Sequence, residues 1–151
     1  MFSRGLIWAL SLLAASSQLP AAGQLAGPLP AAGLHVENAW LRQLLPGQNK
    51  TAGYFDIINN GLEPVTLVGA SSNAAAAIEI HRIIYDGDMV RMRRVEKVVV
   101  APGETVRFRP GGLHLMLFQV SALAEYTKVQ LLTDTGGRIG AVFRQVPLGV
   151  E

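Results

Sequence analysis

The chain has 151 residues, with 13 basic and 11 acidic side chains, a formal charge of +2 and 16% charged residues. That length suits one ordinary domain whose core needs no disulfide, and so small an excess of positive charge is no footprint for nucleic acid. The cysteine count is 0, which excludes disulfides, thiolate metal sites, thiol catalysis and a lipidated cysteine within these residues.

The first residues carry one basic side chain, Arg4, before an apolar run, GLIWALSLLAA, at 5–15. Small residues follow, and Ala21-Ala22-Gly23 fits a cleavage site. The run is shorter than the roughly 20 apolar residues of an ordinary transmembrane helix, and no arginine pair precedes it, so the general secretion route is expected. Residues 1–23 are read as a signal peptide. Residues 24–33 close the stretch LPAAGQLAGPLPAAG, whose proline, glycine and alanine read as a linker. The folded domain is expected over 34–151, exported and without stable membrane insertion after cleavage.

From residue 34 onward the text is strand-like. Residues 34–41 precede a Pro46-Gly47 turn, and 53–58 (GYFDII) are aromatic and β-branched before Asn59-Asn60-Gly61 ends them. Further strands are expected at 65–69, from 78 onward, and at 95–100, 105–109, 113–120, 128–133 and 138–146, with turns at Pro102-Gly103, 110–112 and 134–137. Asp86-Gly87 marks a hairpin. Roughly eight or nine short strands with no long helix predict an all-β fold, an antiparallel β-sandwich or Greek-key barrel.

The chemistry gathers at 79–116. Two of the three histidines, His81 and His114, lie there with Met89, Met92 and Met116. Imidazole suits several transition metals, whereas thioether sulfur selects Cu(I). With Asp86-Gly87 as a two-residue loop, His81 falls opposite Met92, where Cβ atoms stand about 4.5–5.5 Å apart. Glu79 then meets Arg94, and Arg82 meets Arg91. In His114-Leu115-Met116, the period of two puts His114 and Met116 on one face while Leu113, Leu115 and Leu117 point into a core. Two ligands from the hairpin and two from the later strand would close a site of two histidines and two methionines, at the edge or end of the sandwich. His35 reads as a surface residue and Met89 as core filler. Arg82, Arg91, Arg93, Arg94 and Lys97 form a basic cluster around the hairpin, either a solvated face or a guide for an acidic surface. No nucleophile–base pair or carboxylate dyad points to an enzyme.

The spacing His81, Met92, His114, Met116 resembles the signature of the PCuAC family of periplasmic copper chaperones. Flanking text agrees: Ala52-Gly53-Tyr54-Phe55 with its Asn-Asn-Gly turn, Leu67-Val68-Gly69-Ala70-Ser71-Ser72, Glu79-Ile80-His81, and Pro110-Gly111-Gly112 leading into Leu113-His114-Leu115-Met116-Leu117. The likeness covers about residues 34–146. Many members carry methionine directly after the first histidine, where this chain has Arg82. The resemblance implies a cupredoxin-like β-sandwich, monomeric and periplasmic, that holds Cu(I) through His81, Met92, His114 and Met116. It further implies delivery to the CuA-bearing subunit of cytochrome c oxidase during assembly, alongside a Sco-type thiol protein. The alternatives are an envelope copper buffer and a secreted β-sandwich adaptor that binds no metal.

Overall fold

The computed structural model describes residues 33–149; the expected signal peptide and nearly all of the linker lie outside them. Ten strands make up the described chain: β1 (Leu34–Arg42), β2 (Lys50–Asn59), β3 (Val65–Ser71), β4 (Ala77–Asp86), β5 (Met89–Arg94), β6 (Val98–Val100), β7 (Thr105–Phe108), β8 (Leu113–Phe118), β9 (Tyr126–Thr133) and β10 (Arg138–Val146). Their order is β5-β4-β8-β2-β1-β10-β9-β3-β6, and Ala70 of β3 pairs with Ile78 of β4. That last pairing closes the strands from β4 round to β3 into a barrel, which leaves β5 and β6 outside the ring. Every pairing is antiparallel except β1 with β10. The all-β, mainly antiparallel architecture expected from the turn spacing is the one observed.

Alternation builds the core. Phe55, Ile57, Phe108, Leu115, Leu117, Leu131 and Phe143 point inward and are essentially sealed from water. Phe55 stacks on Phe108 with ring centroids 4.2 Å apart and meets Phe143 edge-on at 5.6 Å, the offset and edge arrangements that aromatic quadrupoles favour. Asn59 is buried but fully engaged. Its amide donates to the carbonyls of Glu63 and Val100, and its Oδ1 accepts from Gly61 N–H. The turn after β2 is thereby tied to the end of β6.

The route from β7 to β8 sets up the site. Both strands run along the same edge of β2: Phe108 faces Phe55 and Leu115 faces Gly53. Between those pairs only Tyr54 stands on β2, so most of residues 109–114 must loop outward. Arg109 anchors the loop base, since its guanidinium lies 2.6 Å from Asp56 Oδ1 and 2.7 Å from Oδ2. Asn38 donates to the same carboxylate at 2.8 Å. Burial alone would raise the Asp56 pKa, but hydrogen bonds from Asn38 and Arg109 and the charges of Arg109 and Arg107 hold it below the usual carboxylate value.

Candidate metal centre

The hairpin of β4 and β5 turns at Gly87-Asp88, one residue later than Asp86-Gly87. Asp86 pairs with Met89, Ile83 with Met92, and His81 with Arg94. Gly87 has φ +58°, and Asp88 is not among the residues with positive φ. That pattern fits a type II′ turn, with glycine first, rather than the Asp-Gly type I′ turn that needs two positive φ angles. His81 therefore does not face Met92 directly, and Arg82 meets Arg93 instead of Arg91. The correction leaves the chemistry on the same side. Moving the turn by one residue slides the pairing by two, and side chains alternate with period two. Met92 becomes the diagonal neighbour of His81, a separation of about 7–8 Å that long side chains bridge.

The other two residues arrive from β8. His114 pairs directly with His81 across the β4–β8 ladder, and Met116 pairs with Glu79. The imidazole centroids are 5.9 Å apart. Leu115 and Leu117 are fully buried beneath them, as the alternation of Leu113–Phe118 requires. His81, Met92, His114 and Met116 thus share the outer face of three consecutive strands, β5, β4 and β8. They sit on the flank of the barrel and reach its edge at Met92, since β5 is the outermost strand of the sheet. Met89 lies outside the group and is 52% exposed, so it is not core filler; its sulfur accepts from Arg91 at 3.6 Å. His35 is a surface residue beside Glu37, 3.3 Å away.

Hydrogen bonds decide which imidazole nitrogen each histidine presents. Glu79 Oε2 lies 2.8 Å from His81 Nε2. A carboxylate only accepts, so Nε2 carries a proton, and in the neutral ring Nδ1 keeps the lone pair. That Nδ1 is buried with no hydrogen-bond partner among the described residues, which is costly unless something else satisfies it. For His114, Nδ1 donates to the Gly112 carbonyl at 3.1 Å, which leaves Nε2 as the donor atom. Oriented imidazoles of this kind, each braced through its other nitrogen, are what metal-binding histidines require. His114 is only 4% exposed. Burial holds its pKa below the ordinary value, against the Gly112 hydrogen bond, and His81, whenever that ring is protonated, and Arg42 push in the same direction as burial. Glu79 in turn is held below the usual carboxylate value by its hydrogen bond with His81, against slight burial, and by the charge of Arg94, 3.0 Å from its Oε1.

Beside the donors lies an open recess of about 480 Å³, with Met92, His114 and Met116 on one wall and Arg42, Gln48 and Lys50 on another. Tyr54 also lines it, with its ring 6.3 Å from that of His114 and 4.4 Å from that of Trp40. Among the described residues no three or more His, Cys, Asp or Glu side chains cluster as a metal site. Any metal here would depend on the thioethers, and the set as it stands is a soft, uncharged one: two imidazoles and two thioethers. It fits Cu(I) better than zinc or a hard cation. Sequence reasoning placed the four residues but missed Glu79 as the brace of His81. The signal was present, because residues 79 and 81 are two apart on a strand and must share a face.

The fold is that of a PCuAC domain. The barrel matches the copper-bound PCuAC domain from PmoF2 with a TM-score of 0.65 and 19% identity, over 80% of this chain and 98% of that one. It also matches the solution structure of CuI-DR1885 from Deinococcus radiodurans, with a TM-score of 0.59 and 21% identity over 83% of this chain and 84% of that one. By sequence, the family described as "Putative lipoprotein LpqE-like" matches residues 34–139. "Putative lipoprotein Lxx21020" of Leifsonia xyli subsp. xyli is 32% identical over 117 residues, which is 77% of this chain and 69% of that protein. The chain belongs to the LpqE-like family. The 151 residues contain no cysteine, and "lipoprotein" is the wording of the family's and the relative's descriptions.

Proposed function

We propose that this chain is an exported, periplasmic Cu(I) carrier that delivers copper to the CuA-bearing subunit of cytochrome c oxidase during assembly, with a Sco-type thiol protein as a second partner. His81, Met92, His114 and Met116 are its ligands under this reading. The observation that carries it is the pairing of His81 with His114, flanked on the same face by Met92 and Met116. The orphaned Nδ1 of His81 and the copper named in the PmoF2 and DR1885 structures support it. Four neutral donors leave the Cu(I) site with a single positive charge. Such a site holds copper without thiolate and releases it to a thiolate-rich acceptor. Blue-copper electron transfer needs a cysteine ligand, which this chain lacks. The role is carriage rather than catalysis.

An anaerobic Cu(I) competition titration with X-ray absorption tests the ligand set. One copper per chain, in a mixed nitrogen and sulfur shell, is expected. His81→Ala or Met116→Ala should weaken binding by more than the roughly 10–100-fold that loss of an outer-shell partner costs. Unchanged affinity removes the substituted residue from the site. Mixing the loaded protein with the copper-free CuA-bearing domain tests delivery; copper that binds but does not move identifies a buffer instead.

A further inference from the structure

The outer edge of β5 offers an unpaired backbone ladder in register with the donor residues. In a hairpin closed by a two-residue turn, the flanking residues exchange both backbone hydrogen bonds, and successive pairs alternate between bonded and non-bonded. Asp86 and Met89 flank the turn, so the bonded pairs are Asp86 with Met89, Ile84 with Arg91 and Arg82 with Arg93. Two hydrogen bonds agree with this phase. Val95 N–H donates to the Ile80 carbonyl at 2.8 Å, and Ile83 N–H turns away from β5 to the Gly112 carbonyl at 3.1 Å. Val90, Met92 and Arg94 therefore aim their N–H and C=O groups away from β4. β5 is the last strand on that side of the sheet and is exposed throughout, and no described residue pairs with those groups.

The pleat fixes where the side chains of an added strand would go. The residue bonded to Met92 would project onto the donor face, its Cβ about 5.5 Å from that of Met92. Its two chain neighbours would project onto the other face, opposite Arg91 and Arg93. By alternation that face of the hairpin carries Arg82, Arg91 and Arg93, with Asp86 as its carboxylate, diagonal to Arg91. The three guanidinium groups enter none of the ion pairs among the described residues, and Arg91 donates to the Met89 sulfur. Glu79 stands on the donor face, engaged by His81 and Arg94, while Asp88 lies in the turn and the oppositely charged Glu96 and Lys97 follow β5. Charge also selects the occupant. Two copies joined antiparallel through β5, in the registers of longest overlap, would set Arg91 against Arg93 or against Arg91, and like charges directly opposite destabilise a pairing. Carboxylates at those places would instead meet guanidinium groups.

We propose that the edge of β5 docks an extended acidic segment of a partner protein as an added antiparallel strand, with a sulfur-bearing residue opposite Met92 between acidic residues opposite Arg91 and Arg93. This rests on the copper-carrying reading above. Docking puts the partner's sulfur beside the most exposed proposed ligand. One bond from copper to the Met92 sulfur breaks as one from copper to the incoming sulfur forms; an incoming thiol gives its proton to solvent, and copper stays Cu(I).

The first test needs no copper. Short β-branched peptides with a central methionine between two glutamates, or between two lysines, are added to the metal-free protein, and amide hydrogen exchange is followed by NMR. With the acidic peptide at about ten times its dissociation constant, exchange at Val90, Met92 and Arg94 should slow about tenfold, while Arg91 and Arg93, already bonded to β4, should change little. An acidic peptide N-methylated at its methionine keeps the charge but loses a ladder bond, and should fail to protect. Arg91→Glu/Arg93→Glu should exchange the preference to the lysine peptide. Val90→Pro covers a double variant that fails to fold: its lost N–H points away from β4, so it should keep the hairpin and abolish protection. No protection with the acidic peptide, or protection indifferent to N-methylation and to Val90→Pro, overturns strand addition. Equal protection by the lysine peptide overturns the acidic partner, and protection that rises with protein concentration alone overturns it in favour of a second copy. In a second arm, under argon, Cu(I) should pass from the loaded protein to the acidic peptide with cysteine at its centre faster than to the lysine counterpart, and Val90→Pro should erase the difference; equal rates with the unaltered protein overturn the role of docking in transfer. A chain that takes up no Cu(I) sinks the carrier reading, and the exchange experiment still decides the docking edge.

Discussion

Glu79 is the side chain on which the orientation of His81 depends. Its two oxygens divide their work: Oε2 accepts from His81 Nε2 and Oε1 accepts from Arg94. Glu79→Gln would keep the shape but remove the charge that Arg94 anchors, and an amide can present either oxygen or nitrogen to the ring. Cu(I) affinity should fall by about 10–100-fold, as when an outer-shell partner of a metal-bound histidine is lost, with little change in thermal unfolding; competition with a colorimetric Cu(I) chelator measures it. His114 makes a pH prediction of definite sign. Its folded-state pKa is lowered, so on acidification the unfolded chain takes up the proton first. Stability contributed by neutral His114 is complete above the ordinary histidine pKa of about 6.5 and is lost as pH falls from there through the folded-state pKa. Urea midpoints between pH 7.5 and 5 should decline, and His114→Gln should decline less steeply over the same range.

At the scale of elements, each pair of proposed ligands depends on a local device. Gly87 supplies the positive φ that closes the β4–β5 hairpin, and the type II′ turn fixes the register that puts Met92 diagonal to His81. The outward loop between β7 and β8, braced by Arg109 on Asp56, delivers the Gly112 carbonyl to His114 Nδ1. A bulge in β1 contributes as well: Asn38 adopts φ +51°, a conformation asparagine tolerates, and turns its amide onto Asp56. Beneath the proposed metal face, Gly53 of β2 pairs with Leu115. A Cβ at that position would lie 2.8 Å from Leu41 Cδ2, and Leu41 is itself sealed in the core. Gly53→Ala should therefore cost about 1–3 kcal/mol through overpacking, read as a lower urea midpoint. It should also loosen Cu(I) binding, because β8 carries two of the proposed ligands.

For the whole molecule, closure of the barrel turns four scattered residues into one face. β4 and β8 are joined by the β4–β8 ladder although β5, β6 and β7 intervene in sequence. β5 stays outside the ring, attached only through β4, so its six residues are all exposed. Met92 is 47% exposed while His114 is almost sealed. An incoming ligand would meet sulfur first and the deeper imidazoles last, which suits the proposed role of a carrier. The guanidinium groups of Arg82 and Arg93 lie on the opposite face of the hairpin from the donors, by the same alternation that groups the donors together.

The sequence by itself determined most of the strands, the places where the chain turns to within a residue, and the identity of the soft residues. Alternation in Leu113–Phe118 placed His114 and Met116 on one face, because a strand can bury Leu115 and Leu117 only by turning their neighbours outward. It also put Met92 on the His81 side, since any shift of two residues preserves the face. The turn type escaped the sequence, because Asp86-Gly87 and Gly87-Asp88 are both acceptable loops and the choice depends on which pairing the whole sheet favours. Only the tertiary structure decided that His81 faces His114. That contact joins strands separated by three others, and its register follows from core packing and barrel closure, which no local pattern encodes. The same is true of Arg42 and Lys50, whose place beside the donors is set by β2 lying next to β8 and β1 next to β2.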